Sequence, residues 1–321
     1  MNSSRNRPTC HVLVIGAGLC GLGAAISLAL EGHQVSVFEK APQLHTVGAG
    51  IQITPNGVRI LRRWGVAEKL TLNAATPETL SILRYDGQRV LAHRGRYREE
   101  IETRYGEPIW CLHRIDLQQA LAATAENLGV RLIFDSPVHD VDFEGSAIVF
   151  KDGHIKKGDL IVAADGLWSS TRSSFYGRPL IPQPTGDLAY RIVLTADQVK
   201  EDAELRKIIT RPGIRIWMGP RAHAVAYSLL NGQMLNIVLL VPDDLPHDVP
   251  KAEGDIGEMA KLFEGWDPLL KRCLSHVKKV DKWRLMYLQV DEPWSSKQGS
   301  FVMAGDSCHP ILPYMAQGAN S

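Results

Sequence analysis

The apolar residues near the amino terminus fall into three short segments with different periods. The β-branched run at 12–15, the small-residue segment at 24–30 and the β-rich run at 34–38 predict a strand, a helix and a second strand. Gly32 separates the helix from the second strand. The pattern therefore predicts a βαβ unit, in which the two strands lie parallel.

Further elements follow before residue 170. The segment 79–95 alternates about Asp86-Gly87, which predicts a hairpin. The segment 116–128 has a helical apolar period, with Asp116 as its expected N-cap and Gly129 after its end. The remaining predictions are helices at 59–64 and 67–72 and strands at 131–134 and 159–164.

A segment rich in Pro and Gly, 177–186, separates this region from one dominated by alternating runs. Turns at 220–221 and 231–232 divide those runs, so they predict a mostly antiparallel sheet. The predicted strands are 187–194, 214–219, 223–230, 235–242 and 283–290, with one amphipathic helix at 255–274. A closing strand at 301–304 leads through a Pro-containing loop to an expected helix start at Gly318.

Composition narrows the class of protein. The chain has 321 residues, 45% hydrophobic and 22% charged, with a formal net charge of +1. No basic block is longer than a pair, so we expect a small-molecule partner and no nucleic acid. The five cysteines are scattered and contain no CxxC pair, which indicates neither a disulfide framework nor a metal site and suits a reducing cytoplasm.

Residues 11–30 carry no formal charge and follow Arg5 and Arg7, as a signal peptide or membrane anchor would. Four glycines within this stretch, and the turn at Gly32, are more typical of a buried strand and helix. We therefore expect no membrane span.

The loop "GAGLCG" places Gly16, Gly18 and Gly21 between the first strand and its helix. Glycine permits the tight turn, lets the backbone approach a pyrophosphate and allows close helix packing, while the helix N-terminus offers free N–H groups. Glu39 ends the second strand, where a carboxylate would bind an adenosine ribose. The pattern predicts dinucleotide binding and leaves NAD and FAD both open.

A second motif, DGxxSxxR, follows the strand at 159–164. Asp165 can accept hydrogen bonds, Ser169 can cap a short helix, and Arg172 would be free to pair with phosphate. A capped turn without a ligand is the alternative interpretation.

Together with "GDSCHPILPYMAQGANS" at 305–321, these motifs resemble, in order and spacing, the fingerprints of class A flavoprotein monooxygenases, the aromatic hydroxylases. The segments 47–61, 113–121 and 186–191 are most similar to the salicylate hydroxylase and 6-hydroxynicotinate monooxygenase group. The resemblance implies an α/β fold, a Rossmann-like FAD-binding domain with an inserted, mostly antiparallel β-sheet substrate domain of α+β type. The implied domains are 1–180 for FAD, with the 79–95 hairpin on the substrate side, 181–292 for substrate, and 293–321 returning to the flavin ring.

The resemblance also implies a chemistry: FAD is reduced by a transiently bound NADH or NADPH, and a flavin hydroperoxide then hydroxylates a phenolic or related aromatic substrate using O2. The residues that it implies for FAD are Gly16, Gly18, Gly21 and Glu39 for the ADP half, Gly50, Arg114 beside the pyrophosphate and ribityl chain, Asp165 and Arg172 for the FAD domain and nicotinamide approach, Asp306 for the ribityl hydroxyls, and the backbone N–H groups of Gly318, Ala319 and Asn320 for the pyrimidine end of the flavin.

Four residues are candidates for substrate chemistry. His309 is either a loop organiser near the flavin or a proton donor or acceptor, and Gln52 either orients a ring substituent or is an ordinary buried amide. Tyr190 and Arg191 begin the substrate sheet, and Arg191 would pair with a substrate carboxylate or phenolate, or with a structural acid. We expect the strand aromatics Trp217, Tyr227 and Tyr287 to be core residues.

Three alternatives remain open at the level of sequence. The family continues beyond the position of Ser321 with an acidic helix, so one alternative is a shortened flavoprotein with weak FAD binding and no turnover. The others are a flavin dehydrogenase or oxidase, and an epoxidase. Monomer and homodimer are equally compatible with the sequence, as are aromatic catabolism and natural-product biosynthesis.

Overall fold

The structure, a computed structural model, describes residues 8–44 and 49–321. Arg5, Arg7 and residues 47–48 of the family-like segment lie outside this part. The strands are β1 (His11–Ile15), β2 (Gln34–Phe38), β3 (Gly50–Ile53), β4 (Thr79–Arg84), β5 (Val90–Arg94), β6 (Trp110–His113), β7 (Arg131–Ile133), β8 (Val138–Asp142), β9 (Ala147–Phe150), β10 (Ile155–Lys157), β11 (Leu160–Ala163), β12 (Gln183–Thr195), β13 (Gly213–Gly219), β14 (Ala222–Leu229), β15 (Met234–Pro242), β16 (Lys251–Gly254), β17 (Val280–Tyr287) and β18 (Phe301–Met303). The helices are α1 (Leu19–Leu30), α2 (Pro55–Arg63), α3 (Ala67–Leu70), α4 (Tyr97–Tyr105), α5 (Arg114–Asn127), α6 (Ser170–Tyr176), α7 (Ala203–Thr210), α8 (Ile256–Leu262) and α9 (Pro268–Ser275).

A parallel sheet in the order β18-β11-β1-β2-β7 forms the first layer. β1 pairs with β2 in parallel and α1 connects them, which confirms the predicted βαβ unit. Ile15 is level with Ala163, and Ala163 with Met303. The loops after β1, β11 and β18 therefore lie along one edge of this sheet, where the carboxyl ends of the strands meet.

The second layer is an eight-stranded sheet in the order β16-β17-β12-β15-β14-β13-β4-β5. Its pairs are antiparallel except for β13 and β4, which run parallel, so the prediction of a mostly antiparallel sheet is confirmed. The predicted hairpin at 79–95 is β4 and β5, at one edge of this sheet. The α/β class with a parallel sheet and a large second sheet is as expected.

The two faces of the large sheet have different neighbours. One face packs on α7, α8 and α9, in a core that contains Leu188, Tyr190, Trp217, Ile209 and Phe263. The opposite face carries Arg191, because neighbouring side chains in a strand point to opposite faces. This second face, called here the inner face, meets β3, which pairs antiparallel with β6. The hairpins of β8, β9 and β10 form a separate three-stranded sheet.

Some predicted element bounds were wrong. The single helix at 255–274 is two helices, α8 and α9, because Gly265 has a φ of +78° and Asp267 caps a new helix whose first residue is proline. α5 begins at Arg114, with His113 as its N-cap residue, so Asp116 lies in the first turn. The Pro/Gly-rich segment ends inside β12, which starts at Gln183 and has an irregular register between Pro184 and Leu188.

The expected helix start near Gly318 is a turn in the structure. The N–H of Asn320 donates to the carbonyl of Gln317 at 2.8 Å. Within the described residues, no helix is both long and apolar enough to cross a membrane.

Candidate functional site

The glycine loop joins β1 to the N-terminus of α1. Gly16 has a φ of +99°, and a Cβ at this position would lie 2.6 Å from the carbonyl oxygen of Ala164. A Cβ on Gly21 would lie 2.0 Å from the carbonyl oxygen of Gly16, so the helix and the loop touch there. A Cβ on Gly18 would meet nothing within 4 Å. Two glycines thus close the loop, and the third leaves open space above it.

Glu39 stabilises this loop. Its Oε2 accepts from the N–H of Ala17 and its Oε1 from the N–H of Ala41, both at 2.9 Å. The predicted ribose-binding carboxylate is therefore also the group that holds the glycine loop against the end of β2. The side chain remains partly exposed, so it keeps acceptor capacity for a ligand hydroxyl.

Asp306 lies close enough to Arg114, His309 and Cys20 to interact electrostatically with each of them. The surrounding protein raises the pKa of Asp306, while Arg114 and His309 lower it. The same surroundings lower the pKa of Arg114, although solvent reaches its side chain, and Asp306 raises it. The structure thus brings together two residues that the sequence places 192 positions apart (306 minus 114).

His309 lies near Asp306, in the loop that follows β18. Its backbone N–H donates to the carbonyl of Gly305 at 2.9 Å, and the centroid of its ring lies 5.2 Å from the ring centroid of Trp294. Both contacts organise the loop after β18. They are consistent with the loop-organising role and leave the proton role a prediction.

The three polar residues of the DGxxSxxR motif have different surroundings in the structure. Asp165 Oδ2 accepts from the N–H of Thr171, while its Oδ1 is buried without a partner among the described residues. Ser169 caps α6 as predicted, through the N–H of Arg172. Arg172 is fully buried and donates to the carbonyls of Ser307, Leu167 and Leu180 at 3.0, 2.8 and 3.3 Å. The expectation that Arg172 is free to pair with phosphate was wrong, because the side chain is fully buried and its Nη1 and Nη2 bind three carbonyl groups, while its Nε has no partner among the described residues.

The closing segment reaches β3 through Asn320. The Oδ1 of Asn320 accepts from the N–H of Thr54 at 2.9 Å, and its Nδ2 donates to the carbonyl of Gln52 at 3.0 Å. The backbone N–H of Asn320 donates to the carbonyl of Gln317 within the turn. This N–H was expected to face the flavin, and in the structure it is already used. Gly318 and Ala319 are exposed on the same turn.

Gly50 and Gln52 lie on β3. The Nε2 of Gln52 points to the sulfur of Cys111 at 3.8 Å, and burial raises the pKa of that thiol to about 12. Gly50 donates its N–H to Oδ1 of Asn236 at 2.8 Å. Gly50 was predicted to bind the cofactor, and the structure shows it as the contact between β3 and the inner face of the large sheet.

Tyr190 and Arg191 lie on opposite faces of β12. Tyr190 is fully buried against the helices, where Gly254 and Lys282 surround its ring, so its assignment to the substrate site was wrong. Arg191 lies on the inner face, 5.4 Å from the ring of Trp283, and its Nε is buried without a partner among the described residues.

The charged neighbours of Arg191 come from both layers. Burial is the main cause that lowers its pKa; nearby Arg114 lowers it further and Tyr227 raises it. Burial raises the pKa of Tyr227 above its ordinary value, so its hydroxyl stays protonated. Arg191 and Tyr227 therefore lie on the inner face of the sheet, and Arg114 is near enough to influence the charge of Arg191.

Tyr227 and Asn236 are site residues that the sequence analysis missed. Tyr227 was expected in the core, and it is 6% exposed, but it lies between the two layers and not under the helices. Trp217 is a core residue as expected, while Tyr287 is 45% exposed, contrary to expectation. Asn236 is the polar residue in the apolar run 235–242, and the turn at 231–232 brings it opposite Tyr227, which was the available signal.

The residues present fit an ADP-containing flavin. Open space lies above Gly18, and the first turn of α1 carries no acidic side chain. An N-terminus of this kind favours phosphate. No group of His, Cys, Asp and Glu side chains in residues 8–44 and 49–321 is arranged to hold a metal ion.

The chain matches a family model described as "FAD binding domain" over residues 9–234. It is 48% identical over 317 residues to the FAD-dependent monooxygenase OpS4 of Beauveria bassiana (strain ARSEF 2860), covering 98% of this chain and 74% of that protein. It is 31% identical over 320 residues to the 3-hydroxybenzoate 6-hydroxylase of Polaromonas naphthalenivorans (strain CJ2), covering 98% and 77%.

A solved structure shares the fold. The crystal structure of CtdE in complex with FAD and a substrate superposes with a TM-score of 0.85 at 22% identity, over 97% of this chain and 77% of that one. At this identity the likeness concerns the arrangement of the two layers.

Proposed function

Since the chain belongs to the class A FAD-dependent aromatic monooxygenases, we propose that it hydroxylates an acidic aromatic compound, a phenol or a related ring, with NADH or NADPH as electron donor and O2 as co-substrate. The observation that supports this substrate class is the Nε of Arg191, which is buried without a partner among the described residues on the inner face that also carries Tyr227. Arg114 is near enough to lower the pKa of Arg191, and an anion bound beside two neighbouring guanidinium groups relieves their repulsion.

The glycine loop, the N-terminus of α1 and Glu39 would hold the ADP half of FAD. Arg114 and Asp306 would face its middle, and the turn of Gly318 and Ala319 would face the ring. When bound, FAD takes electrons from the nicotinamide nucleotide and enables transfer of one oxygen atom from O2 to the substrate. The protein's part is to keep the substrate fixed, charged and shielded from water.

Arg191 would bind the phenolate or carboxylate of the substrate, and Tyr227 would donate its O–H to the same group. Both side chains are held by packing before the substrate arrives, Arg191 by Trp283 and Tyr227 by Gly50. A phenolate so bound is a more electron-rich ring than the neutral phenol, which favours attack on an electrophilic oxygen. Arg191 thus orients the ring and also keeps it in its reactive ionisation state.

Replacing Arg191 with alanine tests the proposal. We expect the KM for a hydroxybenzoate to rise about 100-fold, since a charge-assisted hydrogen bond is worth roughly 1.5–3 kcal/mol. The measurements are oxygen consumption and the mass of the aromatic product, with FAD affinity followed by absorbance. Arg206→Ala, which removes an exposed arginine from α7 behind the sheet, is the matched control.

Three results would contradict the proposal or a part of it. Formation of hydrogen peroxide with no oxygenated product, at every aromatic acid tried, would favour an oxidase. A flavin that forms no complex with the purified chain would favour the non-catalytic alternative. An unchanged KM in Arg191→Ala would remove Arg191 from the substrate site.

A further inference from the structure

Two asparagines hold β3 in place from opposite sides. Asn236, on β15 of the large sheet, accepts the N–H of Gly50 at the start of β3. Asn320, in the closing segment, accepts the N–H of Thr54 and donates to the carbonyl of Gln52 at its other end. The four-residue strand β3 is thus fixed to the substrate-facing sheet at one end and to the proposed flavin-ring segment at the other.

The contact at Gly50 is close as well as bonded. A Cβ on Gly50 would lie 2.6 Å from Cε2 and 2.8 Å from the hydroxyl oxygen of Tyr227, and 3.0 Å from Cβ of Asn236. Tyr227 and Asn236 are register partners on β14 and β15, so their side chains leave the sheet on the same face. The backbone of Gly50 therefore rests directly on the phenol end of Tyr227.

The position of Gly50 also affects Arg114. Gly50 pairs with His113, the residue before Arg114. The backbone N–H of Arg114 donates to the carbonyl of Ala49 at 3.3 Å. A shift of β3 relative to the sheet would therefore move Arg114 and the hydroxyl of Tyr227 relative to each other. Both residues are near enough to Arg191 to influence its pKa.

Asn236 itself is fully buried, and its Nδ2 has no partner among the described residues. Burying a carboxamide with an unused donor is costly, since such a group loses its hydrogen bonds to water. An apolar residue of similar size would fill the same volume without that cost. The role that the structure shows for the Asn236 side chain is to accept the backbone N–H of Gly50.

We propose that Asn236 is a positioning residue, which through the Gly50 N–H fixes the distance between the substrate anchors on the large sheet and the flavin-side residues that β3 and β6 carry. This inference rests on the proposed hydroxylation. Its consequence is that Asn236 controls how much of the consumed NAD(P)H yields oxygenated product, because with the substrate displaced the two electrons of NAD(P)H would reduce O2 to hydrogen peroxide without hydroxylation.

The test uses the full chain and three variants. Asn236→Leu removes the acceptor, Asn236→Asp keeps a side-chain oxygen for Gly50, and Ser228→Ala removes a buried hydrogen bond, to the carbonyl of Ile208, from the opposite face of the same sheet. Amide exchange of Gly50 is measured in the flavin-free protein. The Kd for 3-hydroxybenzoate, from perturbation of the bound-flavin spectrum, and the ratio of product to NAD(P)H are measured with FAD.

In Asn236→Leu we expect Gly50 to exchange about 10-fold faster and the product ratio to fall about 10-fold, as loss of one hydrogen bond worth roughly 1.4 kcal/mol implies. The affinity for FAD should stay within about 3-fold, because the glycine loop is untouched. Asn236→Asp should restore the protection of Gly50 from amide exchange. Ser228→Ala should leave both the exchange of Gly50 and the ratio of product to NAD(P)H unchanged.

Unchanged Gly50 exchange in Asn236→Leu would overturn the inference, and so would a loss of product ratio in Ser228→Ala as large as in Asn236→Leu. A wild-type chain that oxygenates no aromatic compound would overturn the proposed function instead. In that case the exchange of Gly50, which needs no substrate, still decides whether Asn236 holds β3.

Discussion

At the scale of the residue, the glycines of the GAGLCG loop look equivalent in the sequence, but glycine is needed at each position for a different physical reason. Gly21 has no room for a side chain, because the carbonyl oxygen of Gly16 lies 2.0 Å from the position of its Cβ. Gly18 has an extended backbone, with φ of −73° and ψ of 178°, and open space around it. Gly21 is thus required by the fold itself, whereas Gly18 is required only if a ligand lies against the loop.

Alanine substitutions separate these two reasons. Gly21→Ala should lower the free energy of unfolding of the flavin-free protein by about 1–3 kcal/mol, since the added methyl group overpacks the loop. Gly18→Ala should leave that free energy within about 0.5 kcal/mol and lower only the affinity for FAD. Urea denaturation and flavin titration of both variants measure the two quantities. Wild-type FAD affinity in Gly18→Ala would show that no pyrophosphate approaches this residue.

Neighbouring residues also show the limit of sequence at this scale. The alternating pattern placed Tyr190 and Arg191 on a strand, which is confirmed, and it required them to face opposite ways. Which face carries the helices and which faces β3 depends on contacts with segments outside β12, and β3 lies more than 100 positions away. The core position of Tyr190 and the proposed substrate role of Arg191 follow from that choice.

At the scale of the element, the break between α8 and α9 depends on one carboxylate. Asp267 Oδ1 accepts from the N–H of Leu269, capping α9, and its Oδ2 accepts from the indole N–H of Trp217 at 2.7 Å. Its own N–H donates to the carbonyl of Tyr85 at 2.8 Å. The sequence pattern predicted a single helix at 255–274, because the helical period of apolar residues continues across the break although the chain changes direction there.

Asp267→Ala should lower the free energy of unfolding by about 2–3 kcal/mol, because it removes a helix cap and leaves a buried indole N–H without an acceptor. Asp255→Ala is the control, since Asp255 caps α8 through the N–H of Glu258 only. Its expected cost is about 1 kcal/mol. Equal losses in the two variants, by urea denaturation, would mean that the bond to Trp217 contributes nothing.

At the scale of the whole molecule, single buried side chains join segments that are distant in sequence. Arg172 binds carbonyls of Leu167, Leu180 and Ser307, so it connects the end of β11, the entry to β12 and the loop after β18. The planar guanidinium suits this role because its donors point in several fixed directions. The flavin-side edge of the parallel sheet depends on this connection.

Arg172→Lys should therefore lower the free energy of unfolding by about 2–3 kcal/mol, because a single ammonium group cannot reach three carbonyls in this geometry. Arg178→Lys, at an exposed ion pair with Glu292, should change it by less than about 0.5 kcal/mol. Thermal or urea unfolding of the flavin-free variants provides the comparison. Wild-type stability with weaker FAD binding in Arg172→Lys would return Arg172 to the phosphate site.

The sequence by itself determined the βαβ unit, the glycine loop with its dinucleotide-binding motif, and the alternating strands of the large sheet. These features depend on period, turn residues and motif spacing, which are local properties. It also determined the family, because three motifs occur in the right order along one chain.

Only the tertiary structure decided which side chains meet. It put Arg191 and Tyr227 on one face of the large sheet with Arg114 nearby, buried Arg172 among carbonyls, and set Gly50 on Tyr227 and Asn236. Each of these contacts joins segments with no local relation, so no periodic pattern encodes it. The physical reason is that a buried polar group must find its partner wherever the fold places one, and that place is known only once both layers are packed.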